Sequence, residues 1–93
     1  ARIVSIGTNF QAQTYPIGRK PVTIGRAASC TVRTGGWFFT PAHIATVEWR
    51  DGGVYAVPHR GKSLHNGNPL KEATLLMDGD SLKFGKLEMK FFT

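Results

Sequence analysis

The stretch Ser81-Leu82-Lys83-Phe84-Gly85-Lys86-Leu87-Glu88-Met89-Lys90-Phe91 decides the fold. Polar and apolar residues alternate from Ser81 to Phe84, and Gly85-Lys86 turns the chain. Leu87, Met89 and Phe91 then point one way while Glu88 and Lys90 point the other. An alternation of period two is what a half-buried antiparallel strand requires. A helix would bring apolar residues back every third or fourth position.

Working back from this hairpin, the same period recurs in short pieces. Ile3 to Ile6 opens the chain as a strand, and Gln13 to Ile17 reads as a short edge strand because it holds Pro16. Val22-Thr23-Ile24 ends at Gly25, and Cys30-Thr31-Val32 is a further short strand. Ile44 to Trp49 is rich in β-formers, and Asp51-Gly52-Gly53 returns it into Val54 to Val57. Trp49 and Tyr55 are expected to pair across that hairpin. Asn66-Gly67 is a second tight turn and Asp78-Gly79-Asp80 a third. Eleven glycines and five prolines interrupt any helical stripe. Many short strands at this spacing predict an all-β, two-sheet antiparallel β-sandwich.

At 93 residues the chain suits one domain, 1–93. No run of eighteen apolar residues is present, so no direct membrane insertion is expected. No secretion leader is expected either. A single cysteine, Cys30, makes no internal disulfide, which suits an intracellular (cytoplasmic or nuclear) and reducing compartment. Cys30, His43, His59 and His65 fit no zinc spacing, so neither a metal nor a cofactor is expected. The net charge is +6, and no acid occurs before Glu48. Such a one-signed half attracts anionic partners, although a basic surface also serves solubility alone.

From Thr23-Ile24-Gly25-Arg26 onward the chain resembles the forkhead-associated (FHA) family. That family carries Ile-Gly-Arg, then Ser-x-x-His, then Ser-x-Asn-Gly-Thr-Phe-Val-Asn-Gly, and later Gly-Asp before its last strands. Gly25-Arg26 matches the first, and Thr40-Pro41-Ala42-His43 matches the second with threonine for serine. His59 to Gly67 aligns with the third without a gap, and Gly79-Asp80 with the last. The resemblance implies a sandwich of the FHA/SMAD type with about eleven strands and recognition loops at one end. It is a divergent match. Gly61 and Lys62 stand where the family has Asn-Gly, and that asparagine grips the bound peptide in the family. The spacing from His43 to Val47 is one residue long, which predicts a bulge.

The resemblance implies a protein–protein interaction module that binds a phosphothreonine-containing partner. Arg26, Thr40, Arg33, Arg60, Lys62 and Ser63 are its expected ligand-binding residues. Gly25, His43, Asn66 and Gly67 are expected to support the loops. Phosphothreonine offers negative charge and three acceptor oxygens, and the planar fork of arginine suits them. With Gly61 in place of asparagine, weak or altered binding is expected. Each residue also has a purely structural role open to it. Arg26 can brace loop carbonyls, and Arg60 and Lys62 can form a solvated turn. Trp37 and Phe38 form a further candidate, an aromatic patch for a partner protein. Either that patch or a free sheet edge would serve self-association, and the sequence favours neither.

The alternative is a phosphate-independent scaffolding or assembly domain with the same fold, as in a multiprotein complex or secretion apparatus. Nucleic acid ranks behind both, because spaced stacking aromatics are missing. An enzyme ranks last. Ser63, His43 and Asp51 can be drawn as a triad, but no nucleophile-elbow motif is present.

Overall fold

The computed structural model describes residues 1–6, 13–34 and 40–93. Trp37 and Phe38, the aromatic patch of the sequence reading, lie outside the described residues. The described strands are β1 (Arg2–Ile6), β2 (Thr14–Pro16), β3 (Val22–Gly25), β4 (Val32–Arg33), β5 (Ala45–Arg50) and β6 (Gly53–Pro58). They continue with β7 (Ser63–His65), β8 (Asn68–Pro69), β9 (Thr74–Leu75), β10 (Ser81–Phe84) and β11 (Leu87–Phe92). These eleven form two sheets, in the orders β2-β1-β11-β10-β7-β8 and β4-β3-β5-β6-β9. The all-β sandwich is therefore as expected, and no helix occurs among the described residues.

The alternation of Ser81 to Phe91 places the core. Ser81 faces Lys90, Leu82 faces Met89 and Phe84 faces Leu87 across the β10–β11 pair. Leu82, Phe84, Met89 and Phe91 are buried, and they meet Ile24, Val32, Val47 and Ala56 of the other sheet in one cluster. Burying a side chain of this size contributes roughly 1.5–3 kcal/mol. The two turns Asp51-Gly52 and Asn66-Gly67 both have positive φ at each central residue. Those values suit the type I′ turn, whose twist matches the flanking strands.

Three details depart from the sequence reading. β3 and β4 pair in parallel, Ile24 with Val32 and Gly25 with Arg33, within an otherwise antiparallel arrangement. Trp49 and Tyr55 do not pair, because Trp49 stands opposite Val54 and Tyr55 opposite Glu48. Opposed residues share a face and neighbours alternate, so the two rings lie on opposite faces. Trp49 instead donates its indole N–H to the Ile17 carbonyl at 2.9 Å. The third departure is the bulge. It lies across the sheet from the expected stretch, where the N–H groups of His59 and Arg60 both donate to the Ile44 carbonyl, at 2.8 and 3.2 Å. Two residues opposing one is the mark of a β-bulge.

Candidate binding site

β3 ends, β4 ends, β5 begins and β6 ends at one pole of the sandwich, as their registers require. A cleft of about 940 Å³ opens there. It is lined by the two segments Thr40–His43 and Pro58–Arg60, with Arg26 and Thr46 completing the wall.

Gly25 lets the Thr40–His43 wall of the cleft lie close against the end of β3. It is buried, and a Cβ on it would stand 2.8 Å from the Ala42 carbonyl carbon and 2.9 Å from the His43 Cα. Only a residue without a side chain lets the two backbones approach so closely. The approach is stitched on both sides. The N–H of Arg26 donates to the Pro41 carbonyl and that of Ala27 to the Ala42 carbonyl, each at 3.2 Å. The Cys30 thiol meets the Ala42 carbonyl at 3.3 Å and His43 Nδ1 at 3.6 Å. His43 thus supports the loop while lining the cleft.

Arg26 follows directly and is exposed. Its Nε donates to the Thr40 carbonyl at 2.9 Å. That bond uses one of five donors, and neither Nη is bonded to a described residue. A guanidinium steered by its Nε in this way presents its other edge as a fork, the geometry that suits a phosphate or carboxylate.

The facing wall owes its form to Pro58 and the bulge. Pro58 has no N–H to continue the ladder, and the doubled bond to Ile44 interrupts the strand alternation. His59 and Arg60, consecutive in sequence, therefore both line the cleft. Thr46, buried on β5, meets His59 Nε2 at 2.7 Å. Among the lining residues there is no carboxylate, so the field inside is of one sign.

The expected residues divide into two groups. Arg26, Thr40, Arg60 and His43 come together in the cleft. Arg33, Lys62 and Ser63 do not line it. Ser63 points inward, is 4% exposed, and its hydroxyl finds no hydrogen-bond partner. Its burial follows from its register opposite Phe84, whose side chain lies in the core. A ligand cannot reach it there. Gly61 adopts a φ of 79°, and a Cβ on it would press on Pro41 Cγ at 2.9 Å. Asn66 and Gly67 do structural work at the other pole. The Asn66 amide donates to Asp80 Oδ1 at 3.1 Å and accepts from the Ser81 N–H at 2.8 Å. Ser63, His43 and Asp51 make no hydrogen bonds to one another, and Asp51 sits at the far tip of the β5–β6 hairpin.

Sequence reasoning missed His59 and Thr46 as cleft residues. The one local signal is Pro58 closing a strand immediately before two consecutive basic side chains.

No family model matches the sequence, and no curated protein matches it either. The likeness is in the fold. The chain is similar to the N-terminal FHA domain of Rad53p from S. cerevisiae, solved in complex with a phosphothreonine peptide. The TM-score is 0.80 at 16% identity, covering 98% of this chain and 90% of that one. It is similar to EmbR of Mycobacterium tuberculosis in complex with a low-affinity phosphopeptide, with a TM-score of 0.81 and 18% identity. That match covers 99% of this chain but only 24% of EmbR. The yeast Dun1 FHA domain, in complex with a doubly phosphorylated peptide, gives a TM-score of 0.74 at 24% identity, covering 98% and 72% of the two chains. The chain has the FHA fold.

Proposed function

We propose that this FHA-fold chain is a protein–protein interaction module that binds a phosphothreonine-containing partner in the cleft between Thr40–His43 and Pro58–Arg60. The observation that carries this reading is the fork of Arg26, steered by its bond to the Thr40 carbonyl into a cleft with no carboxylate. A phosphate carries about −1.5 to −2 charges at neutral pH, and each charge-assisted hydrogen bond to it contributes roughly 1.5–3 kcal/mol. Arg26 and Arg60 supply the charge, and the Thr40 hydroxyl is an additional donor. The fold's likeness to domains solved with phosphothreonine peptides supports the same ligand class. Catalysis ranks below binding: the Thr46 hydroxyl meets His59 Nε2 at 2.7 Å but is buried, and no carboxylate among the lining residues orients that imidazole.

A second reading, phosphate-independent scaffolding, is favoured by Gly61. With its positive φ, and with Pro41 in the space a Cβ would need, this position offers an incoming peptide no side chain. Fluorescence anisotropy separates the two readings. The probes are a degenerate peptide pool with a central phosphothreonine and the same pool unmodified. Binding of the phosphorylated pool alone, weakened roughly tenfold or more by Arg26→Ala, supports the phosphate reader. Equal binding of both pools, or of neither, overturns it in favour of the scaffold.

A further inference from the structure

The bulge does more than turn Arg60 into the cleft. It also places an imidazole beside it, and Thr46 holds that ring. The Thr46 hydroxyl meets His59 Nε2 at 2.7 Å, while Nδ1 has no partner among the described residues. His59 is exposed, yet its orientation is fixed from beneath by a buried residue of β5.

We infer that His59 is a ligand-contacting residue of the cleft and couples its affinity for phosphorylated ligand to pH. This inference rests on the phosphopeptide reading above. Imidazole is the side chain whose charge changes near neutral pH. Among the described residues, the ionisable groups that line the cleft with His59 are Arg26 from the end of β3, His43 from the loop before β5, and Arg60 beside it. None of them is an acid. A phosphate dianion placed against Nδ1 favours the imidazolium over the neutral ring. In the bound state Nε2–H donates to the Thr46 hydroxyl oxygen and Nδ1–H donates to a phosphate oxygen. Binding then takes up one proton from solvent at His59. Affinity therefore rises as pH falls from about 8 to about 6.5.

His43 is not equivalent. Its Nδ1 faces the Cys30 thiol, so one ring nitrogen is already committed to the loop. Thr46 acts through His59 and is a positioning residue.

The test measures binding of the labelled phosphothreonine peptide pool at about pH 8 and about pH 6.5, for the wild type and for His59→Gln. The phosphate's own titration, near pH 6, is common to both proteins and cancels in their ratio. The wild type is expected to gain roughly three- to tenfold over His59→Gln on acidification, one pKa unit being a tenfold effect. Thr46→Val, which releases the ring, is expected to lose part of that gain while keeping binding dependent on Arg26. An amide NMR spectrum of each variant checks that the fold is kept. If His59→Gln keeps both the wild-type affinity and the wild-type pH gain while Arg26 still matters, the inference fails and the phosphopeptide reading stands. If the wild type binds no phosphorylated pool at either pH, both fail.

Discussion

Gly25 and Ala42 touch backbone to backbone, and the Thr40–His43 wall of the cleft is seated on β3 through that contact. The space a Cβ would need at Gly25 is already filled by the Ala42 carbonyl and the His43 Cα. Gly25→Ala must push the Thr40–His43 loop outward and break the bonds from Ala27 and Cys30 to the Ala42 carbonyl. Overpacking of this kind costs about 1–3 kcal/mol. Urea denaturation should show that loss, with the midpoint lowered and the slope kept.

Ser63→Ala should have the opposite sign. The Ser63 hydroxyl is buried without a partner, and such an orphan costs roughly 1–3 kcal/mol of desolvation. Removing it is expected to raise stability by about 1 kcal/mol. It should leave binding of a phosphothreonine peptide unchanged, because the side chain lies in the core. A thermal melt together with an anisotropy titration checks both points. A large loss of affinity would restore the role that the sequence motif implied for this residue.

Asp80 sets a pH dependence of stability. Its Oδ2 meets His65 Nε2 at 2.7 Å and accepts from the Met77 N–H at 2.8 Å, while Oδ1 accepts from Asn66. Burial raises its carboxyl, but the bonds from His65, Met77 and Asn66 outweigh it and hold the pKa below the ordinary 3.8. A carboxylate lowered on folding stabilises the fold above its unfolded pKa and loses that contribution as pH falls through the folded value. The wild type should therefore lose stability as the pH drops below 3.8. Asp80→Ala should cost about 1–3 kcal/mol at neutral pH and flatten that part of the acid slope. Denaturant melts at neutral and acid pH would show it, and an unchanged acid slope in the variant would contradict it.

The sheets were legible because local signals dictated them. Asp51-Gly52 and Asn66-Gly67 can take positive φ at both turn positions, and that fixes the hairpins and their registers. The Ser81 to Phe91 alternation likewise told which faces are buried. The parallel β4 was not legible, since Val32 and Arg33 make too short a ladder to carry a direction in their composition. The pairing of Arg26 with Thr40 entered through the motif alone. No periodicity brings residues fourteen apart in sequence together. His59 stayed hidden for a related reason. Its place in the cleft depends on two N–H groups sharing the Ile44 carbonyl, and only the folded ladder reveals that. The motif says which loop Ser63 belongs to, not which way it faces, so its burial opposite Phe84 is read only from the fold.

The central claim is that a phosphorylated threonine sits against Arg26, and residue-resolved NMR tests it most directly. A 15N-labelled wild-type chain is titrated with a phosphothreonine peptide pool and, separately, with the unmodified pool. The account predicts that the phosphorylated pool alone shifts the signals of Arg26, Thr40, His59 and Arg60, and that residues of the Asn66-Gly67 turn stay still. Shifts centred elsewhere, or the same shifts from both pools, would contradict it.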